Sequence, residues 1–425
     1  MIDIKLFREN PQIIKENLKA RNQENKSKIV DEILSFDKKY RQNKSKEDEL
    51  RHKRNQISLE INKLAKEKKD IKKLLIQAKK IPSEISKLES QRQKIEKNIN
   101  NLISQIPNIL DQSVPIGTDS KQNVQVSEYG KLSKKDFEIR NHADLLEELN
   151  LADFKNASRV SGKGFYFLKG YGALLDIALQ RFAIDFLIKK GYTLIQPPYM
   201  LKKEFYAGVT DTKNFEVMMY KVENEDLHLI ATSEHPIAAM FSDTIIEEKD
   251  LPIKIVGVSP CFRKEIGSHG LDERGLFRVH QFNKVEQFIF CKPEDSQKYH
   301  KELLENVEEI YKKLEIPYRV VVLCSGDTGA TASKTYDLEI FMPREDQYKE
   351  AASCSNCTTY QSIGSNIKYK KAQEKFYVNT LNSTAMATTR TIRSIIENYQ
   401  QKDGSIKVPK ALHDYMGGLK EIKKS

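Results

Sequence analysis

Pro260-Cys261-Phe262-Arg263-Lys264-Glu265 and, after a Gly-rich loop, Phe277-Arg278-Val279-His280-Gln281-Phe282-Asn283-Lys284-Val285-Glu286 read as the two strands of one hairpin. The first strand ends in an arginine and a glutamate; the second carries an aromatic ring and ends in a glutamate. A guanidinium, a flat ring and carboxylates on facing strands make a hairpin able to hold a nucleotide. Outward from it, β-branched and aromatic runs recur at Thr193–Gln196, Ile253–Ser259, Glu286–Phe290, Arg319–Leu323 and Tyr336–Phe341, mixed with amphipathic helices such as Leu174–Lys190. They follow no steady β-α-β rhythm, and neither G-x-G-x-x-G nor G-x-x-x-x-G-K occurs. This argues against a parallel nucleotide-binding sheet and predicts an α+β body around an antiparallel one.

The N-terminal side has another texture. Residues 1–110 contain no glycine and hold 27 Lys plus Arg against 16 Asp plus Glu, whereas residues 111–425 balance at 44 against 44. The entire surplus of +11 therefore sits in one segment, which sets a basic arm suited to a polyanion beside an electroneutral body. Ile71, Leu74, Ala78, Ile81, Ile85, Leu88, Ile95, Ile99, Leu102 and Ile106 keep a heptad register broken only by Arg92. Ile29, Ile33, Phe36, Tyr40, Leu50, Ile57, Ile61 and Leu64 do the same, with Asn43, Glu47 and Arg54 filling the gaps. A turn near Lys66–Asp70 places Leu64 opposite Ile71 and Ile29 opposite Ile106, so a coiled-coil hairpin is expected over about 27–105. Arg92 should then meet Asn43 and Glu47 in a polar layer that fixes the register. An arm of this length reaches roughly 50 to 60 Å at 1.5 Å per residue, and lysines and arginines along it suit the backbone of a structured RNA. Pro82, inside the second helix, predicts a bend or a frayed tip.

The helical period stops at Ile106-Pro107-Asn108, and a polar linker is expected over 111–130, with the catalytic body over 131–425. With 425 residues, 39% of them hydrophobic, the chain suffices for the arm and one body with its own core. No run of 18 apolar residues occurs, so no membrane association is expected. Met1–Asn10 is mixed in charge and lacks the apolar stretch of a signal peptide, pointing to a cytoplasmic protein. Five cysteines, Cys261, Cys291, Cys324, Cys354 and Cys357, are too few for a disulfide framework. Cys354-Ser355-Asn356-Cys357 has no second pair to complete a zinc set, so reduced thiols and no zinc are expected. His235, His269 and His280 lack ligand spacing and read as structural.

The hairpin residues resemble motif 2 of the class II aminoacyl-tRNA synthetases, most closely the seryl-tRNA synthetase family. Gly191-Tyr192-Thr193-Leu194-Ile195-Gln196-Pro197-Pro198 is similar to motif 1, which forms the dimer interface in this class, and Leu381-Asn382-Ser383-Thr384-Ala385-Met386-Ala387-Thr388-Thr389-Arg390 to motif 3. Thr232-Ser233-Glu234 and Lys349-Glu350-Ala351-Ala352-Ser353-Cys354-Ser355-Asn356 are similar to segments lining the serine and ATP sites. Met1–Asn22, the arm and Ile106–Gly117 also match in order, so the likeness covers nearly the whole chain.

The resemblance implies an ATP site of Arg263, Lys264, Glu265, Val279, Phe282, Glu350, Ala351, Ala352, Ser353 and Arg390. Phe282 and Arg390 would sandwich adenine, Glu265 and the Val279 backbone would read its edge, and Ala351 and Ala352 would offer backbone contacts. It implies a serine site of Thr232, Ser233, Glu234, Arg263, Glu286 and Thr384, with Arg263, Glu350 and Arg390 catalytic and Mg²⁺ on Glu350 and Ser353. The partners it implies are ATP, L-serine, tRNA(Ser) and a second copy of the chain, with tRNA(Sec) open as a further acceptor; the arm would grip the tRNA bound by the neighbouring subunit. Taken singly, these residues have plainer readings: a surface ion pair for Arg263 with Glu265, a helix cap for Thr232-Ser233-Glu234, a core ring for Phe282, a helix-face charge for Arg390. Two other functions stay open, an amino acid:carrier-protein ligase and a catalytically inactive RNA-binding relative.

Overall fold

The computed structural model describes residues 1–132, 135–210, 217–265 and 275–424. It divides into two compact units, one of Ile2–Lys19 with Gln23–Ile106, the other of Met1, Ala20–Asn22 and Pro107–Ser425.

The first unit is built on two long helices, α1 (Ser27–Lys66) and α2 (Lys72–Ile103). Ile57, Ile81 and Ile85 are buried between them, flanked by Leu50, Ile61, Leu74 and Ala78, as the heptad stripes demand. Arg92 donates from Nε to Glu47 Oε2 at 3.1 Å, and from Nη1 to the Tyr40 hydroxyl at 3.1 Å. The polar layer thus includes Glu47, while Tyr40 takes the place expected for Asn43: its ring already lies in the seam, and its hydroxyl reaches the guanidinium. Toward the first turns the stripe turns, burying Val30 and Asp37. Phe7 of the short helix Ile4–Glu9 is buried there, and Arg8 bonds Asp37. The second helix runs without interruption through Pro82 and shows no fraying there. Pro82 is exposed, so the carbonyl left without a donor is on the wet side of the helix, where the loss is tolerated.

The second unit is organised by an eight-stranded sheet of β1 (Val124–Tyr129), β2 (Thr193–Ile195), β3 (Ile253–Phe262), β4 (Gln281–Cys291), β5 (Tyr318–Val322), β6 (Lys334–Met342), β7 (Gln347–Thr358) and β8 (Asn379–Ala387). Its order is β1-β5-β6-β7-β8-β4-β3-β2. Every neighbouring pair is antiparallel except β2 with β3. The polar stretch expected to be a linker therefore contributes an edge strand, β1, whose residues are nearly all exposed, which is why it carries no hydrophobic alternation.

Period-two alternation along β4 explains where a site can form. Val285 and Ile289 point into the main core, under α3 (Tyr171–Lys189), α4 (Ser296–Lys313) and α5 (Thr388–Tyr399) through Leu179, Phe182, Leu303, Val307 and Ile392. Each such side chain contributes about 1.5–3 kcal/mol by leaving water. On the opposite face Phe288 and Phe290 enter a second cluster with Ile237 and Val378. That leaves Phe282, Lys284 and Glu286, on the same face, beyond the end of that cluster.

Candidate active site

The end of this face opens into a cavity of about 630 Å³. Arg263, Glu265, Val279, Phe282, Glu350, Ala351, Thr384 and Arg390 line it. The β3/β4 pairing sets Cys261 opposite Phe282, and Arg263 N bonds His280 O at 2.9 Å. The Arg263 guanidinium then lies 5.2 Å from the centre of the Phe282 ring. Residues 266–274 of the connecting loop, His269 among them, lie outside the described residues.

Arg390 comes from the first turn of α5, donating from Nη1 to Glu350 O at 2.8 Å and pairing with Glu350 Oε1 at 3.2 Å. Arg390 and then Arg263 hold the half-exposed Glu350 carboxyl below its ordinary range, overcoming burial. The Arg390 guanidinium lies 5.2 Å from the centre of the Phe277 ring. A register shift near Ala351, opposite Leu338 and Glu339, brings both Glu350 and Ala351 to the cavity wall; bulges commonly re-aim side chains beside active sites. Ala352 and Ser353 do not line the cavity. Ser353 sits across the strand pair from Asp337, whose Oδ1 has no hydrogen-bond partner among the described residues. Burial, then the Glu350 charge, raises the Asp337 carboxyl well above its usual value.

Thr232, Ser233, Glu234 and Glu286 do not line this cavity; they form a buried floor that meets it at Thr384 and Lys284, which do line it. Glu286 is 1% exposed. It accepts from Thr384 Oγ1 at 3.3 Å and pairs with Lys284. Glu234 accepts from Gln361 Nε2 at 2.9 Å and Asn382 Nδ2 at 3.1 Å. Burial, with the negative charge of Glu286 adding to it, pushes its carboxyl up to about 7. Thr232 Oγ1 accepts from Glu234 N at 3.1 Å, the cap-like turn that the plain reading expects. Ser233 is fully buried and donates to Gly257 O at 3.5 Å. A Cβ on Gly257 would lie 2.5 Å from Ile237 Cδ1 and 2.9 Å from Ser233 Oγ, so this glycine lets the turn bearing Glu234 approach the sheet.

Lys264 does not line the cavity; its Nζ lies 5.8 Å from the Tyr220 ring centre. Phe277, Lys284, Lys349 and Asn382 were not singled out from sequence, yet the first three line the cavity and Asn382 bonds Glu234. A signal for Lys284 existed: it alternates with Phe282 and Glu286 on one strand face.

His235 is buried, and burial takes its imidazole down to about 3; the His280 ring stacks on Phe165 and bonds the Tyr220 hydroxyl. Cys354 and Cys357 are buried thiols, contacting His300 O and Thr331 Oγ1. Among the described residues no group of three or more His, Cys, Asp or Glu is arranged to hold a metal, and no helix is long and apolar enough to cross a membrane. The site thus combines a stacked guanidinium, a second arginine on an acidic partner, and a floor with two carboxyls and a hydroxyl.

Two family models match the chain: the seryl-tRNA synthetase N-terminal domain over residues 1–110, and the tRNA synthetase class II core domain (G, H, P, S and T) over residues 212–399. A serine–tRNA ligase from Methanocella arvoryzae is 52% identical, over 99% of this chain and 100% of the relative. The crystal structure of seryl-tRNA synthetase from Pyrococcus horikoshii complexed with ATP has a TM-score of 0.93 at 43% identity, covering 100% of both chains. That of the cytoplasmic serine–tRNA ligase from Naegleria fowleri in complex with AMP has a TM-score of 0.88 at 37% identity, over 100% of this chain and 99% of the other.

Proposed function

The chain belongs to the seryl-tRNA synthetase family, and from that premise we propose how its residues divide the work. It is a serine–tRNA ligase. ATP and L-serine give seryl-adenylate and pyrophosphate, and the seryl group then passes to the 3′-terminal adenosine of tRNA(Ser). Relatives spanning the chain end to end carry this activity, and nothing among them supports a carrier-protein ligase or an inactive RNA-binding protein.

In the first step a serine carboxylate oxygen attacks the α-phosphorus and pyrophosphate leaves. The carboxylate is already ionised near neutral pH, so positioning takes the place of a general base. Arg263 bridges the carboxylate and the α-phosphate, two anions that otherwise repel, and stabilises the charge that grows at phosphorus. The observation that carries this is the Arg263 guanidinium on the Phe282 ring, in one cavity with Arg390. Adenine stacks on Phe282, Glu265 and the Val279 backbone read its edge, and Arg390 exchanges its Glu350 contact for the triphosphate.

Thr232 and Glu234 take the serine ammonium, and Glu286 with Thr384 takes the hydroxyl. A buried pair that expects a hydroxyl is left unsatisfied by alanine, which is then rejected strongly. Mg²⁺ fits the oxygens present: Glu350 is half exposed at the cavity wall, and the Ser353 hydroxyl lies against the Asp337 carboxyl, and hard cations prefer such donors. Glu350 and Ser353 would hold it. When bound, it withdraws charge from the phosphate oxygens.

The basic hairpin of residues 27–105 holds the tRNA through its phosphates; tRNA(Sec), if it shares the same backbone shape, is a second acceptor. The working form is a homodimer, a reading supported by Tyr171, Ile177 and Ile188 on α3 and Leu194 on β2, large apolar side chains left exposed. The cytoplasm, where tRNA is charged for translation, is its place of action. Amino-acid-dependent exchange of pyrophosphate into ATP tests the chemistry. Serine should support it, with alanine at least about 100-fold weaker. No exchange with serine, threonine, alanine or cysteine would defeat the proposal.

A further inference from the structure

Lys284 is an odd residue to find where it is. It is 6% exposed, yet its side chain reaches the cavity wall, and its ammonium pairs with Glu286, itself 1% exposed. Alternation along β4 puts it between Phe282, at the adenine end, and Glu286, at the serine end. Two carboxyls lie within electrostatic reach of each other here: the Glu286 charge helps push the Glu234 carboxyl up, and Lys284 opposes that push. The same lysine is among the charges that hold Glu350 down at the ATP end. One cation on a four-carbon stem thus serves both halves of the site, and such a stem can move its charge by rotating, which the planar Arg390, bonded twice to Glu350, does not do as readily.

Resting on the serine reading above, we infer that Lys284 is a serine-gated cation: it neutralises Glu286 in the empty site and moves to the substrate carboxylate and α-phosphate when the charge of the serine ammonium, held by Glu234 within reach of Glu286, takes over that neutralisation. Charge counting drives the exchange. The empty floor sets Lys284 against Glu286 and Glu234. An arriving serine adds an ammonium on Glu234, whose charge also offsets that of nearby Glu286, and a carboxylate beside Arg263, which needs a second cation once the α-phosphate is present. A buried charge without a partner is costly, so Lys284 leaves Glu286 only when the ammonium is there to replace it. The phosphate-facing cation set is then complete only with an amino acid bound. Serine must consequently tighten the nucleotide, and by linkage the nucleotide must tighten serine by the same factor.

The test is the affinity of the full-length protein for α,β-methylene-ATP, which cannot react, measured by titration calorimetry with and without saturating serine. The expected result is a tightening of about 5- to 100-fold by serine. In Lys284→Met that factor should fall to about one. In Glu286→Gln, where Lys284 has lost its partner, the analogue should bind without serine about as tightly as it binds the serine-loaded wild type. Should Lys284→Met fail to fold, the wild-type and Glu286→Gln titrations still decide. Serine leaving the wild-type affinity unchanged, Lys284→Met keeping the full effect, or Glu286→Gln binding like the empty wild type would each overturn the inference. Absence of serine-dependent pyrophosphate exchange in the wild type is a separate result, and it would remove the serine reading itself.

Discussion

Burial and then the neighbouring Glu286 raise the Glu234 carboxyl to about 7, so it exchanges its proton near neutral pH. Above that value it is ionised and can accept an ammonium; below it the proton must be displaced first. The KM for serine in pyrophosphate exchange should therefore be flat above pH 7 and rise about tenfold per unit below it, while the KM for ATP changes little. Glu234→Gln should flatten the serine profile and raise its KM throughout. A serine KM independent of pH between 5.5 and 8 would show that Glu234 does not hold the amine. At this scale, residues with rare chemistry were legible in the sequence: Arg263 and Phe282 stand out, although β3 ends at Phe262 and leaves Arg263 and Glu265 just past the strand that was expected to carry them. Lys284 was not, since lysine is common on strand surfaces and only its alternation with Phe282 and Glu286 separates it from a solvated charge. Lys264 shows the converse, a cation beside the key arginine, past the end of β3, whose side chain lies over Tyr220 instead.

Among elements, the helical hairpin was the most legible, because heptad spacing states both the helices and which faces meet. Contacts that depend on three-dimensional neighbours were less so. Asp37 is buried because Arg8 arrives from a separate helix, and Tyr40 displaces Asn43 in the polar layer by reach alone. In that layer, hydrogen bonds from Arg51 and Arg92 hold the Glu47 carboxyl below its ordinary value against the cost of burial. Its stabilisation is therefore present above the usual carboxylate range and is lost as pH falls from that range through the lower folded-state value. Arg92→Leu should destabilise the hairpin by about 2–3 kcal/mol, and Glu47→Leu added to it should restore most of the loss. Hydrogen exchange across Ser27–Ile103 reads this. Equal protection in the single variant and the wild type would show that the layer adds nothing. The edge strand Val124–Tyr129 was illegible for a related reason: an exposed strand at a sheet edge buries neither face, so it leaves no period-two pattern to read.

At the scale of the whole molecule, charge and chemistry separate along the chain. The first 110 residues hold the full surplus of +11 and the rest none, while every residue proposed to touch ATP or serine lies between Thr232 and Arg390. This split matches the proposed division of labour, in which the body makes the adenylate and the hairpin brings the RNA to it. The sequence shows this split because net charge needs no knowledge of the fold, whereas the joining of Glu234, Glu286 and Thr384 on one floor needs the sheet order, which no local pattern states. The most direct test compares the full chain with one in which residues 27–105 are replaced by a short Gly-Ser link, assaying both serine-dependent pyrophosphate exchange and serylation of tRNA(Ser). Exchange should stay within about threefold of the full chain, and charging should fall by at least about 100-fold. Equal loss of both activities, or charging that survives without the hairpin, would contradict it.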